Sequence, residues 1–378
     1  MKKIALVGST GSIGRQVINV VNRYPEKFSL AALIANSSKD EFLRQVFGLT
    51  PEYAALTDVS AAKSVGEIPD GVKFLSGENG ALTALESCGA DVIVVACGGF
   101  AGLKYSLKAV ELNVPLALAN KETLVCGGEL IMPEVKEIMP VDSEHSAIWQ
   151  CLNFDRNAPF DSLVITASGG AFRGRNWDSL ADVTPAEALR HPTWKMGAKI
   201  TVDCATLLNK GYEIIEAHHL YGAPYEEISA VIHPQSIVHS MVRFNDGATL
   251  AQLSYPTMEL PIQLALNFPE RLDCDLPQLD FTKAFSLDFL PLDRKDYPLF
   301  GLALDCGEAG GILPTALNAA SEIAVGAFLN GALKFTDIYT VADKVALKTA
   351  NVRVQNYEQL ALADESARRL AEKIIKNL

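Results

Sequence analysis

The chain has 378 residues, 49% of them hydrophobic, and a formal net charge of −12. That length exceeds one ordinary core and predicts two or three domains. The acidic balance excludes a general nucleic-acid binder, which needs a basic footprint, yet leaves room for a small phosphorylated substrate held by a local cluster of donors.

Lys3 to Val7 is a short apolar run, read as a buried parallel strand, and no signal-peptide pattern precedes it. It runs into Gly8-Ser-Thr-Gly-Ser-Ile-Gly14 and then a helix with apolar Val17, Ile18, Val20 and Val21. Strand, glycine turn and helix in that order are the context of a dinucleotide fingerprint, here spaced G-x-x-G-x-x-G. Glycines let the backbone approach a pyrophosphate, and the helix N-terminus offers it free N–H groups. The second strand, Ser29 to Ala35, ends in Asn36-Ser37-Ser38-Lys39. No acid stands where an NAD-specific domain bonds the ribose 2′-hydroxyl, and small polar residues with a lysine suit the 2′-phosphate of NADP. Ala54 to Leu56, Asp91 to Ala96 and Val114 to Ala119 continue as strands, with a helix from Ala101 to Leu112. This alternation predicts a parallel sheet with helices on both faces. The last of these strands ends in Asn120-Lys121-Glu122. Ligands sit beyond the carboxyl ends of such strands, which puts Lys121 near a nicotinamide or a substrate.

Met139 to Val141 is strand-like and Ser146 to Cys151 helix-like; between them stands Asp142-Ser143-Glu144-His145. In an extended backbone residues i and i+2 point to one side, so Asp142 and Glu144 aim at one point. Adjacent carboxylates repel unless a cation neutralises them, and hard divalent ions take oxygen ligands. The pattern also fits a strand end whose acids face solvent and cap the next helix. Leu163 to Thr166 is a strand leading into Ala167-Ser168-Gly169-Gly170, a turn able to cradle an anion. A short helix from Thr184 to Leu189 precedes His191-Pro-Thr-Trp194-Lys-Met196-Gly197. A polar segment between proline and glycine that carries Trp194 and Met196 suits a mobile cover that shuts out water; the tryptophan alone also suits a core. Ile200 to Val202 reads as a further strand. Asn209, Glu213 and Glu216 recur at helical spacing, a stripe that is either solvated or lines a site. If Glu213 joins Asp142 and Glu144, three carboxylates form a hard-metal site with positions left for substrate oxygens, and Asn209 and Lys210 supply donors to a phosphate. His218 and His219 lack ligand spacing and read as structural or surface residues. Val238, Ser240, Val242 and Phe244 alternate, turn at Asn245-Asp246-Gly247, and continue through Thr249, Ala251 and Leu253, a β-hairpin. With the strands at 163–166 and 200–202 it makes a sheet whose open face suits a subunit interface.

Residues 269–296 are rich in Pro, Asp and Leu with little periodicity and read as a linker; from Leu299 the apolar residues recur at helical steps. Seven cysteines at 88, 97, 126, 151, 204, 274 and 306 contain no C-x-x-C and are odd in number, which suits free thiols in a reducing compartment. No apolar run reaches the roughly 18 residues of a membrane span. The expectation is a cytoplasmic α/β and α+β multidomain protein. A Rossmann-like NADPH-binding domain covers 1–141, and a central α+β catalytic, metal-binding and dimerisation domain covers 142–268. A linker covers 269–296 and a helical domain 297–378.

Taken in order, Gly8 to Gly14, Ala119-Asn-Lys-Glu122, Pro140-Val-Asp-Ser-Glu-His145, Ser168-Gly-Gly, His191-Pro-x-Trp194, Asn209-Lys-Gly211 and Ile232-His-Pro-Gln-Ser236 form a specific set. The chain resembles, essentially end to end, the 1-deoxy-D-xylulose 5-phosphate reductoisomerases of the methylerythritol phosphate isoprenoid pathway. The resemblance implies a divalent metal (Mg²⁺, Mn²⁺ or Co²⁺) on Asp142, Glu144 and Glu213. It implies NADPH on Gly8, Thr10, Gly11, Ser12, Ile13, the turn Asn36, Ser37 and Ser38, and on Asn120, Glu122 and Gly197. It places a phosphorylated ketose on Lys121, Ser143, Glu144, Ser168, His191, Asn209, Lys210 and Glu213, under a lid carrying Trp194 and Met196, with Lys121, Glu144 and His191 in catalytic roles. It also implies a homodimer. Two positions depart from the family. Cys204 stands where relatives carry serine in Val-Asp-Ser-Ala, and a thiol is a weak hydrogen-bond donor toward the substrate phosphate. The 36–38 turn differs from the Gly-Lys-Asn of some relatives. Two other readings are a simple NADP-dependent dehydrogenase, which needs no three-carboxylate site, and a non-catalytic NADPH-binding sensor.

Overall fold

The computed structural model describes residues 1–194, 196–273 and 276–378; Cys274, counted above among the thiols, lies outside them. Its chain forms two compact units. The first comprises Met1–Thr123, Pro133–Asp142 and a segment beginning at Met258; the second comprises Leu124–Met132, Ser143–Thr257 and a segment running to Leu378.

In the first unit seven strands make one parallel sheet: β1 (Lys2–Val7), β2 (Phe28–Ala35), β3 (Tyr53–Leu56), β4 (Lys73–Ser76), β5 (Val92–Val95), β6 (Leu116–Leu118) and β7 (Ile138–Pro140). Their order is β4-β3-β2-β1-β5-β6-β7, so the winding reverses between β1 and β5. In such sheets that reversal opens a crevice at the carboxyl ends, where ligands bind. The strands are short and nearly continuous in apolar residues because both faces are covered. Ile4, Leu6, Leu33, Ile34 and Ile93 are all buried, each contributing about 1.5–3 kcal/mol by its removal from water. One helix of this unit, Glu259–Asn267, was not legible in sequence. It packs on the Ser12–Arg23 helix, where Arg23 stands 3.0 Å from Glu259.

The second unit carries a mixed five-stranded sheet: β8 (Ser162–Ala167), β9 (Ile228–Ile232), β10 (Val238–Arg243), β11 (Thr249–Leu253) and β12 (Leu290–Pro291), in the order β11-β10-β8-β9-β12. The expected hairpin is β10 and β11, antiparallel, closed by Gly247 N–H donating to Phe244 O. Residues 200–202 correct the sequence reading. They lie in a helix, Ala198–Ala205, and not in this sheet. The β-branched triplet favours a strand, but Thr201 Oγ1 donates to Gly197 O at 2.8 Å, and Thr201, Val202, Asp203 and Ala205 are buried, so tertiary packing overrides propensity. The C-terminal part is helical, with Pro298–Ala309, Leu313–Leu329, Asp337–Lys348 and Tyr357–Ile375 packed around Phe328, Val341 and Leu360. Arg368 of the last helix pairs with Glu322 of the Leu313–Leu329 helix at 2.5 Å, and within its own helix with Asp364 at 2.7 Å. Among the described residues no helix is long and apolar enough to cross a membrane.

Candidate active site

Asp142 follows the end of β7, Glu144 lies in the first turn of the Ser143–Cys151 helix, and Glu213 lies midway along the Leu208–Tyr221 helix. One carboxylate oxygen from each lies within 4.8 Å of the others. Asp142 and Glu144 meet as expected, but not by strand alternation: the helix begins at Ser143, so the two acids flank a strand-to-helix turn. Each acid has a donor beside it. Lys121 Nζ stands 2.8 Å from Asp142 Oδ2. Lys210 Nζ donates to Glu213 Oε2 and stands 3.6 Å from Glu144 Oε1. Asn209 Nδ2 donates to Glu213 Oε1 at 2.5 Å, and Ser143 Oγ to Glu144 Oε2 at 2.5 Å. Asn209, Lys210 and Glu213 are all buried.

Buried like charges must be compensated. Among the described residues, the three carboxylates form a set of oxygen donors. That set fits a hard divalent cation, which takes carboxylate oxygens and keeps positions for other oxygen ligands. The solvated-stripe reading of Asn209, Glu213 and Glu216 does not hold, because all three are buried.

The Ser168 turn is built around two glycines with φ of +87° and +67°, Gly169 and Gly170. A Cβ on Gly170 would lie 2.3 Å from Cys204 O, so only glycine lets this turn sit against the end of the Ala198–Ala205 helix. Gly170 N–H donates to Ser168 Oγ at 3.2 Å, and His191 Nε2 lies 3.0 Å from the same oxygen. His191 Nδ1 accepts the N–H groups of Thr193 at 3.2 Å and Trp194 at 2.9 Å. Nε2 therefore carries the ring proton and donates to Ser168, which leaves the serine hydroxyl hydrogen for another acceptor. Burial holds His191 below the usual histidine range, which favours this neutral form. The Trp194 ring meets His239 at 6.3 Å, and Gly197 caps the next helix. Met196 is half-buried in the same segment.

In the first unit Gly8 has φ +86°, and a Cβ there would lie 2.5 Å from Cys97 N; a Cβ on Gly14 would lie 2.2 Å from Gly8 O. The Ser12–Arg23 helix has Gly11 as N-cap with no side-chain cap, so its first N–H groups, near Thr10, Ser12 and Ile13, are left for a ligand. Backbone this close, with no side chain over it, is a cradle that fits a pyrophosphate. Asn36 Oδ1 accepts Thr57 Oγ1–H at 2.9 Å, and Ser37 and Ser38 lead into the Lys39–Leu49 helix. Asn120 is buried; its Nδ2 donates to Gly99 O at 3.1 Å and Glu122 Oε2 at 2.7 Å, and its Oδ1 accepts from Thr123.

Two histidines gain roles that spacing did not signal. His233 accepts the N–H groups of Ile237 and Val238 on Nε2, each at 3.1 Å, and its Nδ1 donates to Asp288 O at 2.8 Å, which makes the Ile232-to-Ser236 motif a structural pin. His145 Nε2 lies 3.1 Å from Glu216 Oε2, both fully buried. Their pairing could have been suspected only from Glu216 standing one turn beyond Glu213.

Three family models match the chain: 1-deoxy-D-xylulose 5-phosphate reductoisomerase over residues 4–128, the C-terminal domain of that enzyme over 138–221, and the DXP reductoisomerase C-terminal domain over 253–370. The 1-deoxy-D-xylulose 5-phosphate reductoisomerase of Thermodesulfovibrio yellowstonii is 43% identical over 379 residues, covering 99% of this chain and 100% of the relative. That of Crocosphaera subtropica is 44% identical over 375 residues, covering 96% and 93%. The fold is similar to that of the Zymomonas mobilis enzyme in complex with NADPH, with a TM-score of 0.92, 35% identity and full coverage of both chains. It is also similar to a DOX-P reductoisomerase in complex with NADPH, fosmidomycin and magnesium, with a TM-score of 0.93, 33% identity and coverage of 100% and 98%.

Proposed function

The chain belongs to the 1-deoxy-D-xylulose 5-phosphate reductoisomerase family, and from that premise we infer that it rearranges and reduces 1-deoxy-D-xylulose 5-phosphate to 2-C-methyl-D-erythritol 4-phosphate, using NADPH and a divalent metal, in isoprenoid precursor synthesis. The observation that carries this reading to individual residues is the meeting of Asp142, Glu144 and Glu213 with Lys121 and Lys210 beside them. A simple dehydrogenase has no use for that group.

When bound, the cation supplies Lewis-acid polarisation of substrate oxygens and NADPH supplies the hydride. Asp142, Glu144 and Glu213 hold the cation. Lys121, beside Asp142, orients the substrate's carbonyl end, and Ser143 fixes the Glu144 carboxylate by its hydrogen bond. Ser168, Asn209 and Lys210 bind the phosphate. Ser168 is suited to this because His191 occupies one lone pair of its oxygen and leaves its hydrogen for the anion. Phosphate binding engages a part of the substrate that does not itself react and supplies binding energy, which closes the Trp194 and Met196 segment and excludes water. The cofactor takes the Gly8 to Ile13 cradle for its pyrophosphate and the Asn36 to Ser38 turn for its 2′-phosphate, with Asn120 and Glu122 toward the nicotinamide end. Exposed Leu250 on β11 supports a homodimer through that sheet, and the scattered thiols support a cytoplasmic location.

The test is NADPH consumption with 1-deoxy-D-xylulose 5-phosphate, first with Mg²⁺ and then with EDTA. Oxidation that requires the metal and yields 2-C-methyl-D-erythritol 4-phosphate is the expected result. Oxidation unaffected by EDTA would return the simple dehydrogenase.

A further inference from the structure

Glu216 belongs to the same helix face as Glu213, three residues on, yet its carboxylate lies near a different residue. Its Oε2 lies 3.1 Å from Nε2 of His145, with the histidine side chain 0% and the glutamate 1% exposed. His145 is the residue after Glu144. A hydrogen bond joins the same two helices beside this contact, because Tyr221 Oη donates to the backbone carbonyl of His145 at 2.6 Å. The Ser143–Cys151 helix, which carries Glu144, thus meets the Leu208–Tyr221 helix, which carries Glu213, through one buried close contact and one hydrogen bond.

We propose that Glu216, His145 and Tyr221 are positioning residues that set the spacing of Glu144 and Glu213 and so the affinity for the divalent cation. This rests on the metal reading given above. The burial argues that Glu216 is not itself a ligand: its Oε2 lies against the imidazole, and removing either side chain changes what the other packs on. Contacts behind metal ligands fix the orientation of those ligands, and losing one costs about 10–100-fold in metal affinity.

The experiment is a titration of the full chain with Mn²⁺ in the absence of substrate, reading free Mn²⁺ by electron paramagnetic resonance. It compares wild type with Glu216→Gln, Tyr221→Phe and the ligand variant Glu213→Gln. NADPH affinity reports on folding. The expected result is a Kd for Mn²⁺ raised about tenfold or more in Glu216→Gln, with NADPH affinity retained. Saturating Mn²⁺ then restores turnover in Glu216→Gln but not in Glu213→Gln. A folded Glu216→Gln with wild-type Mn²⁺ affinity would overturn the proposal, as would a loss of turnover that saturating Mn²⁺ does not repair. Should Glu216→Gln not fold, Tyr221→Phe decides: a Kd raised by a few-fold supports the positioning role, and an unchanged Kd refutes it. Wild-type enzyme that binds no Mn²⁺ would instead overturn the metal reading on which the proposal stands.

Discussion

Replacing Gly14 by alanine puts a Cβ 2.2 Å from Gly8 O and 2.7 Å from both Cα and O of Ser9. All three are backbone atoms of the fingerprint turn, so no side chain can swing aside. Ordinary contact begins near 3.4 Å, which requires the start of the Ser12–Arg23 helix to retreat by about 1 Å. Overpacking of this kind costs about 1–3 kcal/mol. The same retreat moves the helix N–H groups away from a pyrophosphate seated on the turn. A hydrogen bond to a charged group is worth about 1.5–3 kcal/mol, and about 1.4 kcal/mol is a factor of ten, so losing one lowers NADPH affinity about tenfold or more. Gly11 offers an internal standard. A Cβ there meets Gly8 O at 3.2 Å, so a shift of a few tenths of an ångström relieves it and Gly11→Ala should be the milder variant. The assay is fluorescence titration of NADPH onto each variant, with Mn²⁺ binding as the control for integrity elsewhere. A Gly14→Ala protein that binds NADPH as tightly as wild type, or more tightly than Gly11→Ala, would refute the close-approach argument.

Glu213→Gln removes a charge from the carboxylate group while leaving the nucleotide cradle untouched; turnover should vanish with NADPH binding intact, and retained turnover would remove Glu213 from the ligand set. Cys204→Ser replaces a weak donor by a hydroxyl; a hydrogen bond to a charged group is worth about 1.5–3 kcal/mol, so KM for the substrate should fall about tenfold, and an unchanged KM would show that this side chain does not reach the phosphate. Burial, and to a lesser extent His218, hold His219 at about 4 against an ordinary value of 6.5. The unfolded chain therefore takes up this proton at a higher pH than the folded one. Its contribution to stability is intact above 6.5 and is lost as pH falls toward about 4. Urea midpoints measured across that window should drop less steeply in His219→Gln, and equal slopes would refute the assignment.

Much of this was legible in the chain because it rests on local rules. The Gly8 to Gly14 turn announces itself through strand, glycines and helix in order, and the structure supplies the distances that make Gly14 obligatory. The 238–253 hairpin follows from period-two alternation around Asn245-Asp246-Gly247. What escaped depends on contacts between residues far apart in sequence. Ile200, Thr201 and Val202 carry a strand's propensity, and only burial against the rest of the second unit makes them a helix. Glu216 and Glu213 are indistinguishable by periodicity, both acids on one helical face. What separates them is a histidine 71 positions earlier in the chain, which takes Glu216 and leaves Glu213 beside Glu144. A spacing rule can place acids on a face; it cannot say which acid a buried imidazole will claim. The division of labour along this helix is therefore a tertiary property, and variants of Glu216 and Glu213 should differ in kind, one rescued by excess metal and the other not.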